Sequence, residues 1–269
     1  MAEVIRSAYE RVQLARSKER PNIQDYIDHL FTDFFEQRGD RSSMDDGSIV
    51  GGIALLGNRP VTVIGHRKGK TLEENVRCNF GMPQPEGYRK AMRLMRQAEK
   101  FGRPVLTFVD TPGAYPGLEA ERHGQGEAIA QSILLMSQLT VPVITLVTGE
   151  GSSGGALAIS VANSLWMLEN AVYSVLSPEG FAAILWKDGS RAADAAGLMK
   201  LTAQDLHSAG VADRVIAEPE HGFAGDCTDF YRDLREQLEA EVELLSSRSG
   251  AALCNERYKK FRSIGDCRS

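Results

Sequence analysis

The segment TGEGSSGGALAIS, residues 148–160, holds the residues of this sequence that are best placed to do chemistry. It follows the apolar run 141–147 and leads into small residues that are compatible with a helix. Glycines lack the Cβ that would keep a ligand away from the main chain. The amides of Gly154, Gly155 and Ala156 would begin this helix with no carbonyl to bond. Free donors at the positive end of a helix attract negative charge, so we predict an anion site here. If the charge forms on an oxygen during a reaction, this site is an oxyanion hole.

Other kinds of site fit this glycine-rich turn less well. A phosphate-binding P-loop would end in Gly-Lys-Ser or Gly-Lys-Thr, which the segment lacks. A serine hydrolase would need Ser152 or Ser153 as its nucleophile. Neither serine lies in a GxSxG pattern, and no nearby histidine is evident as a base. A tight turn that serves only packing remains the alternative to an anion site.

A second candidate is the loop DTPGAYPG, residues 110–117, which follows a predicted strand at 105–109. Two prolines fix φ and two glycines permit unusual backbone angles, so the loop is expected to be rigid and shaped. Loops at the carboxyl ends of strands form ligand sites in α/β proteins. Asp110 could bind a metal ion, but no second carboxylate lies close to it in the sequence. We expect it instead to accept hydrogen bonds from backbone amides of the turn.

The lysine- and arginine-rich stretch at 66–96 has a simple explanation, because charges usually occupy the solvated face of a helix. Tyr88 and Met95 share the other, apolar face. The irregular loop NFGMP at 79–83 is not explained in this way, since its apolar side chains would be costly to expose without a partner or ligand. In the later segment SPEG, at 177–180, the serine is predicted to cap a helix that starts at the proline.

The elements around these motifs alternate between strands and helices. Apolar spacing predicts a helix from Asn22 to near Gly39, followed by an antiparallel hairpin of residues 49–56 and 61–65. Further strands are predicted at 105–109, 143–147, 165–168, 172–175 and 211–217, and further helices at 85–100, 126–138 and 228–247. This alternation favours an α/β fold with one largely parallel sheet that helices cover.

Composition limits the classes of function. The 269 residues are 42% hydrophobic, which is enough for a sizeable core, and no apolar run reaches the roughly 18 residues that span a bilayer. A net charge of −5 argues against nucleic-acid binding as the main task. The first residues lack the apolar region of a secretion signal, so we expect a cytoplasmic location. The four cysteines form no CxxC pair, and we expect neither a zinc ribbon nor another metal site in this chain.

Six motifs together resemble the carboxyltransferase α subunits of bacterial acetyl-CoA carboxylases, over about residues 22–220. They are GGIA (51–54), IGHRKG (64–69), NFGMPQPEGYRKAMRLM (79–95), FVDTPGAYPG (108–117), GEGSSGGALAI (149–159) and YSVLSPEGFAAILWK (173–187). The resemblance implies a crotonase-like α/β fold, a spiral of ββα units, with helical N- and C-terminal extensions. We expect a helical N-terminal arm at 1–21, a carboxyltransferase domain at 22–247 that includes the C-terminal helix, and a C-terminal tail at 248–269.

The resemblance also implies an activity and partners. The activity is transfer of the carboxyl group from carboxybiotin, carried on the biotin carboxyl carrier protein, to acetyl-CoA, which gives malonyl-CoA for fatty acid synthesis. The implied partners are this carrier, biotin carboxylase and a homologous β subunit in an α₂β₂ assembly. The β subunit would bring the zinc ribbon. The active site would lie between α and β, with the glycine pair of α facing carboxybiotin.

Mapped onto this sequence, the resemblance assigns the catalytic role to Gly154 and Gly155. Their amides would bind the ureido oxygen of biotin, which gains negative charge as the carboxylate leaves. The freed biotin nitrogen would take the methyl proton of acetyl-CoA, so that no side chain need act as base. Neighbouring main chain is expected to shape the substrate site; these residues are Gly113, Ala114, Gly151, Ser152 and Ala156.

Ser152 departs from the more usual family sequence at this turn, GEGGSGGA, because it replaces a glycine. The 154–155 pair is retained, so we expect activity to survive while Ser152 narrows the pocket. Two other functions stay open: another crotonase-type acyl-CoA enzyme, such as a decarboxylase or hydratase, and a non-catalytic chain that completes a partner's site. A hydratase would use paired glutamates, for which the sequence offers Glu119, Glu121 and Glu127.

Overall fold

A mixed sheet of eight strands organises the computed structural model, which describes residues 6–265. The strands are β1 Thr32–Glu36, β2 Ile49–Leu56, β3 Arg59–His66, β4 Val105–Thr111, β5 Val143–Ser152, β6 Ser164–Leu168, β7 Val172–Ser174 and β8 Arg214–Ile216. Seven follow the order β1-β2-β3-β4-β5-β6-β8, and β7 pairs with β5. The pairs β1–β2 and β2–β3 are antiparallel and the others parallel. The predicted hairpin and largely parallel sheet are therefore confirmed.

Helices cover the sheet, and further helices precede its first strand and follow its last strand in the chain. They are α1 Ala8–Ala15, α2 Ile23–Leu30, α3 Leu72–Arg77, α4 Pro85–Lys100, α5 Leu118–Arg122, α6 Gln125–Gln138, α7 Ser153–Leu157, α8 Pro178–Trp186, α9 Ala192–Met199, α10 Ala203–Ser208, α11 Thr228–Ser246 and α12 Gly250–Ser263. Short 3₁₀ turns lie at Asn79–Gly81 and Gly189–Arg191. The helices predicted at 85–100, 126–138 and 228–247 are confirmed to within two residues.

The helix predicted from Asn22 to Gly39 is wrong over its second half. It ends at Leu30, and the chain then forms the edge strand β1, which pairs antiparallel with β2. Gly52 of β2 permits this approach, because a Cβ there would collide with the carbonyl oxygen of Phe35. Pairing with a distant strand thus outweighs the helical spacing of the local apolar residues.

Strand β5 is longer than the predicted 143–147 and continues through Ser152. Its residues 144–147 pair with β6, and its last three residues, 150–152, pair with β7. The segment that was expected to be a turn is therefore strand as far as Ser152. A Cβ on Gly151 would lie 2.6 Å from the ring of Tyr173, so this glycine is needed for close packing against β7.

The N-terminal arm holds helix α1, while residues 1–5 of the predicted arm lie outside the described residues. Acids and bases at helical spacing over residues 1–20 predict an exposed helix or a frayed arm, and the frayed alternative is wrong because α1 packs on the domain. Val12 and Ala15 are buried and pack against a small cluster that includes Val172, Ala196 and Leu201. The arm is thus fixed to the domain near β7 and α9.

Most of the predicted C-terminal tail is also ordered, as helix α12. Its Arg257 is buried and donates hydrogen bonds to the carbonyls of Met136 and Leu139, at the end of α6. These bonds satisfy helix-end carbonyls that have no partner within α6. Packing therefore continues past residue 247, and residues 266–269 lie outside the described part. The boundaries of the arm, domain and tail stay predictions.

Candidate active site

The glycine pair lies at the start of α7, directly after the end of β5. Ser153, the first residue of α7, has a left-handed φ of 59°. After this reversal the amides of Gly154 and Gly155 donate no hydrogen bond to any residue that the structure describes. Gly154 is half-buried and Gly155 is buried, while Ala156 packs into the hydrophobic core. Two main-chain donors thus stay free at the half-buried surface of the turn.

The loop after β4 forms a wall against this pair. A Cβ on Gly155 would lie 2.5 Å from the nitrogen of Ala114 and 2.5 Å from the carbonyl carbon of Gly113. A Cβ on Gly154 would lie at an ordinary 3.5 Å from Ile129. Gly113 has φ of 143°, which side chains rarely adopt. The structure therefore places Gly113 and Ala114 against Gly155, and the roles that the resemblance assigns to these residues stay predictions.

Two polar side chains fix this wall. Thr111 accepts a hydrogen bond from the amide of Gly113 and donates one to its carbonyl, at 3.0 and 2.8 Å. Gln125 donates through Nε2 to the carbonyls of Pro83 and Tyr115, at 2.9 and 3.0 Å. These hydrogen bonds tie the loop to the segment that precedes α4, and its rigidity stays a prediction.

Asp110 does not cap its own turn, and that expectation is wrong because Thr111 does so. The carboxylate instead accepts the amide of Glu150 at 3.0 Å and the ammonium of Lys68 at 2.6 Å. A Cβ on Gly149 would lie 2.5 Å from the Asp110 carboxylate. Gly149 is therefore the glycine that permits this link between β4 and β5.

His66, the last residue of β3, is buried beside the turn and was not singled out from the sequence. Neither ring nitrogen has a hydrogen bond of normal geometry, although backbone groups of Gly155 and Phe108 approach the ring. Burial lowers the pKa of His66 to about 4, against the opposing attraction of Asp110. The ring is neutral at pH 7, and its burial keeps it from a substrate at the surface.

The loop at 79–83 lies near Lys68 and Asp110, since a Cβ on Gly81 would approach both residues. Asn79, Phe80 and Gly81 have left-handed φ values of 47°, 55° and 78°. Phe80 is exposed, and exposing an apolar side chain of this loop was expected to be costly without a partner or ligand. Successive left-handed residues store strain, and such strain collects at functional sites.

Beyond β7 an apolar face is exposed on α8 and α9. Ser177 accepts the amide of Gly180 and caps α8, with Pro178 in the first turn, as predicted. The face is defined by four side chains: Val175, Ile184, Leu185 and Leu198, which are 75%, 67%, 57% and 62% exposed. Because β7 pairs with the last residues of β5, the strand that leads to α8 lies beside the strand that leads to the glycine turn.

The alternative catalytic residues are poorly placed. Ser152 is buried in β5, and neither it nor Ser153 hydrogen-bonds to a histidine among residues 6–265. Glu119 is exposed and pairs with Arg122, whereas Glu127 accepts a hydrogen bond from Gln131. These contacts lie within α5 and α6 and do not reach the glycine turn. Ser152 has an ordinary φ of −113°, so the position does not require the family's glycine.

Several charged residues near the site escaped the sequence patterns. Glu150 is buried between two glycines, and no pattern signalled it, because it lies beyond the strand predicted at 143–147, in the segment expected to be a turn. The charge pattern of 66–96 predicts a solvated Lys90, and this is wrong: Lys90 is buried on α4 and donates hydrogen bonds to Asp45 and to the carbonyl of Asp46. Its position four residues before the buried Leu94 placed it on the apolar face.

Between residues 6 and 265, no three histidine, cysteine, aspartate or glutamate side chains are grouped so that they could hold a metal ion. In that range, every helix is too short or too polar to cross a bilayer.

Solved structures define the class of fold. This chain matches transcarboxylase 12S with a TM-score of 0.70 and 18% identity, over 90% of this chain and 44% of the transcarboxylase chain. It matches a Pseudomonas malonate decarboxylase hetero-tetramer in complex with coenzyme A with a TM-score of 0.66 and 18% identity, over 81% of this chain and 88% of the other. The fold is that of the crotonase-like carboxyltransferases, as the resemblance implied.

The particular family follows from sequence comparison. The model of the acetyl co-enzyme A carboxylase carboxyltransferase-like family matches residues 5–265, and the chain belongs to this family. It is 56% identical to the acetyl-coenzyme A carboxylase carboxyl transferase subunit alpha of Clostridium acetobutylicum, over 96% of this chain and 94% of the relative. A single beta/alpha chain of Natranaerobius thermophilus is also 56% identical, over 96% of this chain and 42% of the relative. The chain is thus a carboxyltransferase subunit.

Proposed function

We propose that this chain is the α half of a two-chain carboxyltransferase that acts in the cytoplasm. It transfers the carboxyl group of carboxybiotin, held on a carrier protein, to acetyl-CoA and so produces malonyl-CoA. The observation that carries this proposal is the pair of free amides at Gly154 and Gly155. Relatives more than half identical over nearly the whole chain support the assignment of the reaction.

The residues present suit carboxybiotin as a substrate. Free amides suit an oxygen that becomes more negative during reaction, because they are oriented before the charge develops. Gly155 packs against the main chain of residues 113–114 and has no side chain, so no side chain of its own blocks the approach of that oxygen to its amide. Carboxybiotin supplies the carboxyl group, and its ureido oxygen is the atom that we assign to the two amides.

The roles of the other residues follow from their places in the site. The main chain of Gly113 and Ala114 forms the opposite wall and limits the orientation of a bound ring system. Gly151 and Ser152 hold the end of β5 against β7 and so fix where the turn begins. Since the neutral His66 is buried and the nearby carboxylates are paired, none of these side chains transfers a proton in this proposal.

A partner chain is part of the proposal. The apolar face of Val175, Ile184, Leu185 and Leu198 follows β7, which pairs with the end of β5, and its side chains are exposed. Exposed apolar patches of this kind mark interfaces. We assign it to the β subunit of an α₂β₂ assembly, which would carry a zinc ribbon and bind acetyl-CoA. The relative in which beta and alpha share one chain is consistent with such a pairing. Biotin carboxylase and the carrier protein complete the proposed set of partners.

The test is reconstitution. The purified chain is mixed with its β subunit, acetyl-CoA and a carboxybiotin donor, and malonyl-CoA is followed. We expect transfer only when both chains are present, because each supplies part of the site. Appreciable activity of the chain alone would favour another acyl-CoA enzyme. An inactive complex of two folded, zinc-loaded chains would contradict the proposed function.

A further inference from the structure

One arginine of the N-terminal arm reaches both the strand before the glycine turn and the helix of the apolar face. Arg16 follows α1 and contacts the Glu150 carboxylate through Nε at 2.8 Å and through Nη2 at 2.6 Å. Its Nη1 lies 2.8 Å from Oε1 of Glu179, in the first turn of α8. Arg16 therefore connects β5, two residues before its end, to the start of α8.

Glu150 depends on this arginine. Its side chain is only 6% exposed, and Lys68, the other cation near it, lies 3.7 Å away. Burying a carboxylate is costly unless a charged partner compensates for the lost hydration. The main chain of Glu150 is held as well, because its amide donates to Asp110. Side chain and main chain thus fix the same residue from two directions.

We propose that Arg16 is a positioning residue for carboxyl transfer, although it belongs to the arm and does not form the anion site. It holds the end of β5 in a fixed relation to α8, and the end of β5 sets where the amides of Gly154 and Gly155 point. An oxyanion site works only when its donors lie about 2.7–3.1 Å from the developing charge. This inference rests on the proposed function of the glycine pair.

The principal variant is Arg16→Met, tested in the complex with the β subunit. It removes both contacts and leaves Glu150 with the more distant Lys68. A misplacement of about 1 Å can cost about 100-fold in rate, so we expect kcat to fall about 10–100-fold. With the β subunit at saturating concentration, the KM for acetyl-CoA should stay unchanged, because we assign acetyl-CoA binding to that subunit.

Two further variants separate positioning from general damage. Arg16→Lys keeps a charge but lacks the planar fork that reaches two carboxylates, so an intermediate kcat is expected. The double variant Arg16→Met with Glu150→Gln no longer leaves a buried charge without its partner. We expect the second substitution to restore part of the lost kcat, a non-additive effect that indicates direct coupling.

Arg11→Met is the matched control. Arg11 lies in the same arm, but it donates to the carbonyl of Glu169 and to Asn170, in the β6–β7 connection. Loss of these Arg11 hydrogen bonds should loosen the arm and leave kcat unchanged. A wild-type complex that makes no malonyl-CoA would contradict the proposed function itself. With an active wild type, the positioning role is wrong if a folded and assembled Arg16→Met enzyme keeps its kcat, or if Arg11→Met loses as much.

Discussion

Gly155 and Ala114 approach each other so closely that their main chains leave no room for a methyl group between them. A Cβ built on Gly155 would lie 2.5 Å from the Ala114 nitrogen, well inside the distance that real atoms adopt. Two segments that are about forty residues apart in sequence are thereby pressed together through backbone alone. The glycine at 155 is therefore required by packing, and the direction of its free amide follows from that packing.

The first prediction concerns Gly155→Ala. The added methyl group must push the turn away from the 113–114 wall, and the two amides move with it. Losing one well-placed oxyanion donor costs about 10²–10³-fold in kcat, and we expect a loss of this order in the complex with the β subunit. Steady-state malonyl-CoA production measures it.

Gly225→Ala is the control for that variant. A Cβ there meets nothing within 4 Å, so it adds the same methyl group without a collision. Its kcat should equal that of the wild type. If Gly155→Ala, folded and assembled, were as active as Gly225→Ala, the assignment of the amides would be refuted.

The second prediction is a pH dependence of stability that arises from His66. Burial lowers its folded-state pKa to about 4, below the usual 6.5, so the unfolded chain binds the proton more tightly. The contribution of His66 to stability is therefore complete above pH 6.5 and is lost as the pH falls towards 4. Between pH 7 and pH 5 this group alone should lower the free energy of unfolding by about 2 kcal/mol.

Urea unfolding of the wild type and of His66→Gln at the two pH values isolates this term. The carboxylates are the same in the wild type and the variant. Asp110 and Lys68, the charges that face His66, are also present in both. The variant should lose less stability than the wild type on going to pH 5. Equal losses would mean that His66 is not held neutral by burial.

The third prediction concerns strain at Ser153, whose φ of 59° is left-handed. A left-handed conformation costs an L-residue about 1–2 kcal/mol, and glycine relieves most of this cost. Ser153→Gly should therefore raise the free energy of unfolding by about 0.5–1 kcal/mol after the extra chain entropy of glycine is deducted. The same change should lower kcat, because a freer Ser153 position orients the two amides less firmly.

Lys200→Gly is the matched comparison, since Lys200 has a similar φ of 52° at the end of α9. It should gain similar stability, measured by urea unfolding, and keep its kcat. A Ser153→Gly enzyme that is both more stable and equally active would show that strain at this residue plays no part in the site.

The sequence predicts an element of this fold well when neighbouring residues determine its conformation, and poorly when a residue far along the chain does. Helix α4 and helix α11 show continuous apolar spacing over 16 and 19 residues, and both were predicted from it. The local spacing predicts helix where strand β1 forms, because the conformation of β1 depends on pairing with Gly52 in another strand. Local spacing carries no information about such a partner.

The candidate site shows the same division. The glycines of 148–160 pointed to free amides, because a helix start can be inferred from neighbouring residues. The bond between Arg16 and Glu150 joins residues 134 positions apart, and only the fold reveals it. The burial of His66 is a similar case, since its ring is enclosed by residues from β4 and α7.

The fourth prediction tests the apolar face. Leu185 is 57% exposed on α8, so Leu185→Glu should leave the isolated chain folded. At an interface centre, loss of an apolar anchor and burial of a charge typically cost 2 kcal/mol or more, which corresponds to about 30-fold weaker binding. We expect weaker association with the β subunit in sedimentation or calorimetry, and activity that returns when the β subunit is added in excess.

Leu244→Glu is the control, because Leu244 is similarly exposed, at 52%, on the distant helix α11. Equal affinities of the two variants for the β subunit would place the interface elsewhere.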